Sequence, residues 1–273
     1  MTNQCCIYIR FHQRSASHFQ RLFCTLSFTL ACCFFIPWSN AATDATETTI
    51  TGHVFDANNN EKLYLEHHRI QQFSHSVDYK DLKQYTFARK DISYHRERSK
   101  PNIKFNSDHC NESFSITSLE DNILSASYSN SCDKKNSSDS IRLSEPYVVD
   151  AGFDHFIRDN LSSISKADLV FDYPAPSRGS NIALKASRFS CDRLKNTLSD
   201  LLNAVPADIN NQILWQQCVA VRAKNWLIAR FLPPIYLAYA EDNRLALYSG
   251  RSNMSDAKGD YQDIAIFYFY PDD

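Results

Sequence analysis

The 273-residue chain sets 29 Lys and Arg against 31 Asp and Glu, a net charge of −2, so bulk charge suits it neither to nucleic acid nor to an anionic membrane. Its five glycines are scattered, the nearest pair being Gly250 and Gly259. Dinucleotide loops, phosphate loops and nucleophile elbows need glycines within about five residues of each other, so none of these fits.

In chain order, residues 1–41 read as a cleaved signal peptide. Arg10, Arg14 and Arg21 precede the apolar run "LFCTLSFTLACCFFI", which Pro37 ends, and no acid occurs before Asp44. That run is too short for a membrane span, and Ser39 and Ala41 are small residues at the cleavage positions. The remaining chain, 42–273, is expected to be one β-rich, soluble periplasmic domain with no later membrane span. It keeps 26 basic residues against 31 acids, a net charge of −5.

"TTITGHVFDANNNEKLYLEHHRI" (48–70) predicts a hairpin turning at Asn58 and Asn59. A two-residue turn there places Val54 opposite Leu63 and Gly52 opposite Leu65 on the core face. His53, Glu66 and His68 then project from the opposite face, the one trio with metal-ligand chemistry. Residues 73–79 and 85–92 predict a second strand pair, with shorter strands at 113–117, 124–130 and 140–143. "CDKKNSSDS" (132–140) reads as an exposed loop.

"VVDAGFDHFIRDN" (148–160) leads into Phe153, Phe156, Ile157, Leu161 and Ile164 at helical spacing. Asp150 is placed as the N-cap and Asp154 pairs with Arg158 one turn on. A reactive carboxylate is the alternative reading of this stretch. Strands follow at 168–173, 181–189, 213–223, 234–240, 244–250 and 263–270, with a helix at 192–205. "NWLIARFLPP" (225–234) reads either as a buried loop or single helical turn, or as an apolar rim that meets a lipid or a partner.

Four cysteines follow the leader: Cys110, Cys132, Cys191 and Cys218. An even number in an exported chain implies two disulfides. Three pairings are open; Cys110–Cys132 with Cys191–Cys218 is favoured because each ties off a polar insertion between strands. The expected fold is mainly antiparallel β (α+β), a curved sheet or partly open barrel with one or two covering helices.

Three stretches, "GHVFDANNNEKLYLEHHR", "VVDAGFDHFIRDN" and "LPPIYLAYAEDNRLALYSGRSNMSDAKG", resemble a family of exported bacterial proteins of unassigned function. "CDRLKNTLSDLLNAV" looks like an insertion relative to that pattern. The resemblance implies no catalytic residue. The arrangement is also similar in style to periplasmic lipoprotein carriers, a likeness of fold alone. The expected function is binding in the envelope, of a lipid-like ligand or another envelope protein. Phe153, Phe156, Trp226 and Phe231 are the candidate lining, and no cofactor or metal is called for. The alternatives are a metal-independent hydrolase built from scattered residues and a purely structural or assembly factor.

Overall fold

Alternating side chains and short polar turns fold the chain into one continuous antiparallel sheet. The computed structural model describes residues 47–271, apart from 96, 121 and 207–213; the signal peptide expected over 1–41 lies outside the described residues. The first eight strands are β1 (Thr48–Asp56), β2 (Lys62–Ile70), β3 (Ser74–Lys80), β4 (Thr86–Ser93), β5 (Asn102–Ser107), β6 (Ser113–Glu120), β7 (Ile123–Asn130) and β8 (Lys135–Arg142). The second run is β9 (Leu169–Ala175), β10 (Ser180–Phe189), β11 (Gln217–Ala223), β12 (Ile235–Tyr239), β13 (Leu245–Arg251) and β14 (Asp263–Phe269). Every neighbour in the sheet is a neighbour in sequence except one: β1 pairs with β14.

The sheet curls until its edges, β8 and β9, nearly meet. Tyr147 bridges to Asp172, the Ser144 amide donates to the Asp172 carboxylate at 2.8 Å, and the Lys135 ammonium donates to the Ser177 carbonyl. The result is a nearly closed, barrel-like shell, the curved antiparallel architecture expected from the strand pattern.

Its inner face is apolar in two halves. Strands β1 to β8 contribute Val54, Val77, Phe105, Ile116 and Leu124 among others, and Tyr248 and Tyr268 bridge to the second half. That half is filled by a helical segment, α1 (Phe153–Asp159) and α2 (Leu161–Ile164). Its Phe153, Ile157, Leu161 and Ile164 pack on Phe171, Leu184, Val219, Val221 and Leu237. Gly152 lets this segment come close: a Cβ there would sit 2.3 Å from the Ser99 carbonyl oxygen. The outer face of β11 to β14 carries a third cluster under α3 (Cys191–Thr197) and α4 (Ser199–Ala204), with Leu194 and Leu201 buried. The helix expected over 192–205 is thus two short helices meeting at Leu198.

Both favoured disulfides are present, Cys110–Cys132 and Cys191–Cys218, with Cα separations of 5.2 and 5.3 Å. Each closes a loop of over twenty residues and contributes about 3 kcal/mol by constraining the unfolded chain. Beside the first, the buried Glu112 carboxylate accepts four hydrogen bonds. They come from the Tyr128 and Tyr261 hydroxyls at 3.1 and 2.8 Å and from the Ser255 amide and hydroxyl at 2.7 and 2.8 Å. This clamp fastens the β13–β14 connection across the β5–β7 end of the shell.

Three expectations need correction. The segment 132–140 is not wholly a loop: from Lys135 it is the edge strand β8, polar on both sides because an edge strand can be left wet. Strand β5 was not expected at all. The first hairpin slips by one residue. Phe55 still pairs with Lys62, but a bulge puts Val54 opposite Tyr64 and Gly52 opposite Glu66. One extra residue turns every later side chain to the other face.

Candidate functional site

The slip in the first hairpin brings Glu66 and His68 inside the shell and leaves His53 outside, against Phe269 and Lys62. The expected trio is therefore split across the sheet. Among the described residues no three His, Cys, Asp or Glu are placed to hold a metal ion.

Inside, a row of polar groups crosses the core. His68 Nε2 lies 3.1 Å from the Glu66 carboxylate and His68 Nδ1 lies 2.9 Å from His75 Nε2; His75 Nδ1 lies 3.3 Å from the Tyr94 hydroxyl. With both imidazoles neutral, one set of tautomers satisfies the row. Tyr94 donates to His75, His75 to His68, and His68 to Glu66. Burial holds the His75 imidazole well below its ordinary pKa, with His68, His155 and Lys90 adding to the effect. The Tyr94 ring packs edge-on against His155 of α1, and burial pushes the Tyr94 hydroxyl up to about 12. Opposite Glu66, Gly52 leaves room for the carboxylate: a Cβ there would lie 2.9 Å from Ile266 and 3.2 Å from Glu66.

Two of the three acids of the 148–160 stretch, Asp150 and Asp154, have cationic partners. Asp150 does not cap the helix through its side chain; it lies in a 3-10 turn and pairs with the buried Lys90 at 2.7 Å, with Asn253 donating at 3.0 Å. Asp154 pairs with Arg158, as the sequence spacing anticipates. Each of these two carboxylates faces a cation, and burial raises the Asp154 carboxyl above its ordinary range against the pull of Arg158. The row meets the helical segment at the edge-on Tyr94–His155 ring contact, 5.5 Å between centroids.

The four expected lining residues do not come together. Phe153 and Phe156 pack on Phe171 with ring centroids 5.9 and 5.0 Å apart. Trp226 and Phe231 are on the outside, 70% and 80% exposed, with Leu227 between them at 51%. Trp226 and Leu227 ride on one helical turn, α5 (Trp226–Ala229), which follows β11, and Phe231 comes just after its C-cap Arg230. Asn225 caps it by accepting from the Leu227 amide at 2.9 Å, and Pro233 and Pro234 end the segment. The segment is a ridge and not a buried loop.

The chain on either side of the ridge is free of acids. From Leu214 to Ala240 the only charged residues are Arg222, Lys224 and Arg230. A groove of about 500 Å³ is lined by Phe189, Arg193, Asn196, Thr197, Arg222 and Tyr236. The Arg193 guanidinium lies 5.8 Å over Phe189 and that of Arg222 5.9 Å over Tyr236. Sequence reasoning missed this groove, because Arg193 and Arg222 belong to separate elements. The acid-free run was the available sign. A larger hollow, about 600 Å³, lies by the Cys191–Cys218 disulfide and includes Asp192 as well as Arg188.

No protein-family model matches the chain, and no curated protein matches it. Among the described residues no helix is long and apolar enough to cross a membrane.

Proposed function

We propose that this chain is an exported, periplasmic protein that acts by binding, and that it binds a lipid surface on its outside through the ridge at Trp226, Leu227 and Phe231. The carrying observation is the exposure of two aromatic side chains and a leucine on one capped, proline-ended turn. Leaving them in water forgoes about 1.5–3 kcal/mol apiece if they were fully buried. Tryptophan and phenylalanine beside Lys and Arg suit the boundary between head groups and acyl chains. Two disulfides fit an oxidising compartment outside the cytoplasm. The filled interior supports an outward-facing role over a ligand carried within the shell.

Co-sedimentation with phospholipid vesicles tests this reading. Wild-type protein is expected to pellet with vesicles, and Trp226→Ser/Phe231→Ser to remain in the supernatant while keeping its thermal midpoint. In a Trp215→Phe background, Trp226 fluorescence should shift to the blue on vesicle addition. Equal pelleting of wild type and the double variant would refute the ridge as the contact.

A further inference from the structure

The groove beside the ridge has a chemistry of its own. Its two guanidinium groups lie over two aromatic rings that touch each other, the Phe189 and Tyr236 centroids being 5.0 Å apart. A guanidinium placed over a ring is attracted by the ring face and keeps its N–H donors for another partner. Among the described residues neither Arg193 nor Arg222 is in an ion pair, and the groove lining contains no acid. Thr197 shows that the wall is also polar, although its hydroxyl is already donated to the Arg193 carbonyl at 2.8 Å. Two forked cations lining one groove offer a donor set to each of the two free oxygens of a phosphodiester, a larger tetrahedral target than a carboxylate.

The ridge begins four residues after Arg222, with Lys224 between them and Arg230 within the same segment. A phosphate held in the groove would therefore sit at the base of an apolar projection. We infer that the Arg193–Arg222 groove takes the phosphate of an anionic phospholipid head group while Trp226, Leu227 and Phe231 enter the acyl boundary. This deepens the ridge reading and rests on it. The chain's overall acidity does not oppose it, because the groove lining holds no acid, Asp192 lining the adjoining hollow, and screening confines charge effects to about 8–10 Å.

The test uses vesicles of phosphatidylcholine alone and of phosphatidylcholine with phosphatidylglycerol. Arg193→Gln/Arg222→Gln is the groove variant, Trp226→Ser/Phe231→Ser the ridge variant, and Lys104→Gln, on exposed β5 positions away from the groove, the charge control. Thermal midpoints of all three verify folding. The expected result is tighter binding to the anionic vesicles. The groove variant should lose about 30-fold there, as two interfacial cations imply, and clearly less on phosphatidylcholine, whose phosphate charge is offset by its choline. The charge control should stay within about twofold of wild type. Arg222→Lys, which keeps the charge but not the fork, should also weaken anionic binding. Ridge-dependent binding that ignores head-group charge would overturn the phosphate site and leave the ridge reading standing. No binding to either vesicle would overturn both. Ridge-independent binding that inorganic phosphate competes away would make the groove a site for free phosphate and overturn the lipid assignment.

Discussion

Replacing Lys90 by Met tests how the shell tolerates charge in its interior. Lys90 and Asp150 are 5% and 10% exposed at their side chains, and their charged atoms are 2.7 Å apart. At an effective dielectric of about 20 their attraction is roughly 6 kcal/mol, much of it offset by the cost of taking both ions out of water. The lysine also lies 5.9 and 5.7 Å from the Phe105 and Phe114 ring centroids. Met preserves the aliphatic stem against those rings, so the loss isolates the charge. Asp150 would keep neutral donors alone, Asn253 at 3.0 Å and the Tyr173 hydroxyl. Removing one member of a buried pair costs about 3–5 kcal/mol, because the survivor is left uncompensated. For a domain this size that is a fall of roughly 10 °C in the melting midpoint. Lys90→Met/Asp150→Asn removes both charges and should recover at least about 2 kcal/mol relative to Lys90→Met. Urea unfolding followed by far-ultraviolet circular dichroism, run as a double-mutant cycle, measures both quantities. A loss under about 1 kcal/mol in the single variant, or simple additivity in the cycle, would refute the claim that this ion pair is buried and coupled.

Other outcomes follow from the same structure. Glu112→Gln turns an amide NH₂ toward hydroxyl and amide donors, and should destabilise by about 2–4 kcal/mol in the same urea assay. Gly152→Ala should cost at least about 2 kcal/mol, since the new methyl meets the Ser99 backbone, and crystals of a surviving variant should show the 150–153 turn displaced. Burial, with Arg158 and Arg98 adding to it, lowers the His155 imidazole to about 4, below its unfolded value near 6.5, so the unfolded chain takes up the proton first. That contribution is complete above about pH 6.5 and is lost as pH falls toward 4, worth about 2 kcal/mol after allowance for partial exposure. Thermal midpoints measured from pH 8 to 5 should therefore fall less steeply in His155→Gln than in wild type. Cys191→Ser/Cys218→Ser should lower the midpoint by several degrees, about 3 kcal/mol, because α3 then loses its tether to the start of β11.

Much of the architecture was legible in the chain because a half-buried strand writes its period in plain view. Leu124, Ala126 and Tyr128 alternate with serines, and those serines face outward, where Ser115 and Ser127 meet at 2.8 Å. The 148–160 helix could be read for the same reason. What failed was information that a local pattern does not contain. A single bulge at Leu63, between the Phe55–Lys62 and Val54–Tyr64 pairs, reversed the faces of Glu66 and His68, and no periodicity before it announces such a residue. Asp150 reads as a cap until its partner, Lys90, is supplied by a strand sixty positions earlier. Trp226 and Phe231 look like core residues by composition, and only the end of β11 decides that they stand outside. Arg193 and Arg222 were invisible as a pair, because α3 and β11 bring them together through tertiary packing alone.

The pairing of β1 with β14 has a bearing on the order of folding. The first eight strands form a meander that can assemble as it is synthesised, yet Met254, Ile264 and Ile266 of the last stretch belong to its own apolar filling. An unfinished chain thus carries an open-sided half whose hydrophobic lining is short of three residues and whose first strand has a bare edge. Such intermediates are prone to associate. The arrival of the carboxyl-terminal strand seals both defects at once, so a truncation before residue 263 should yield not a smaller stable fold but a sticky one.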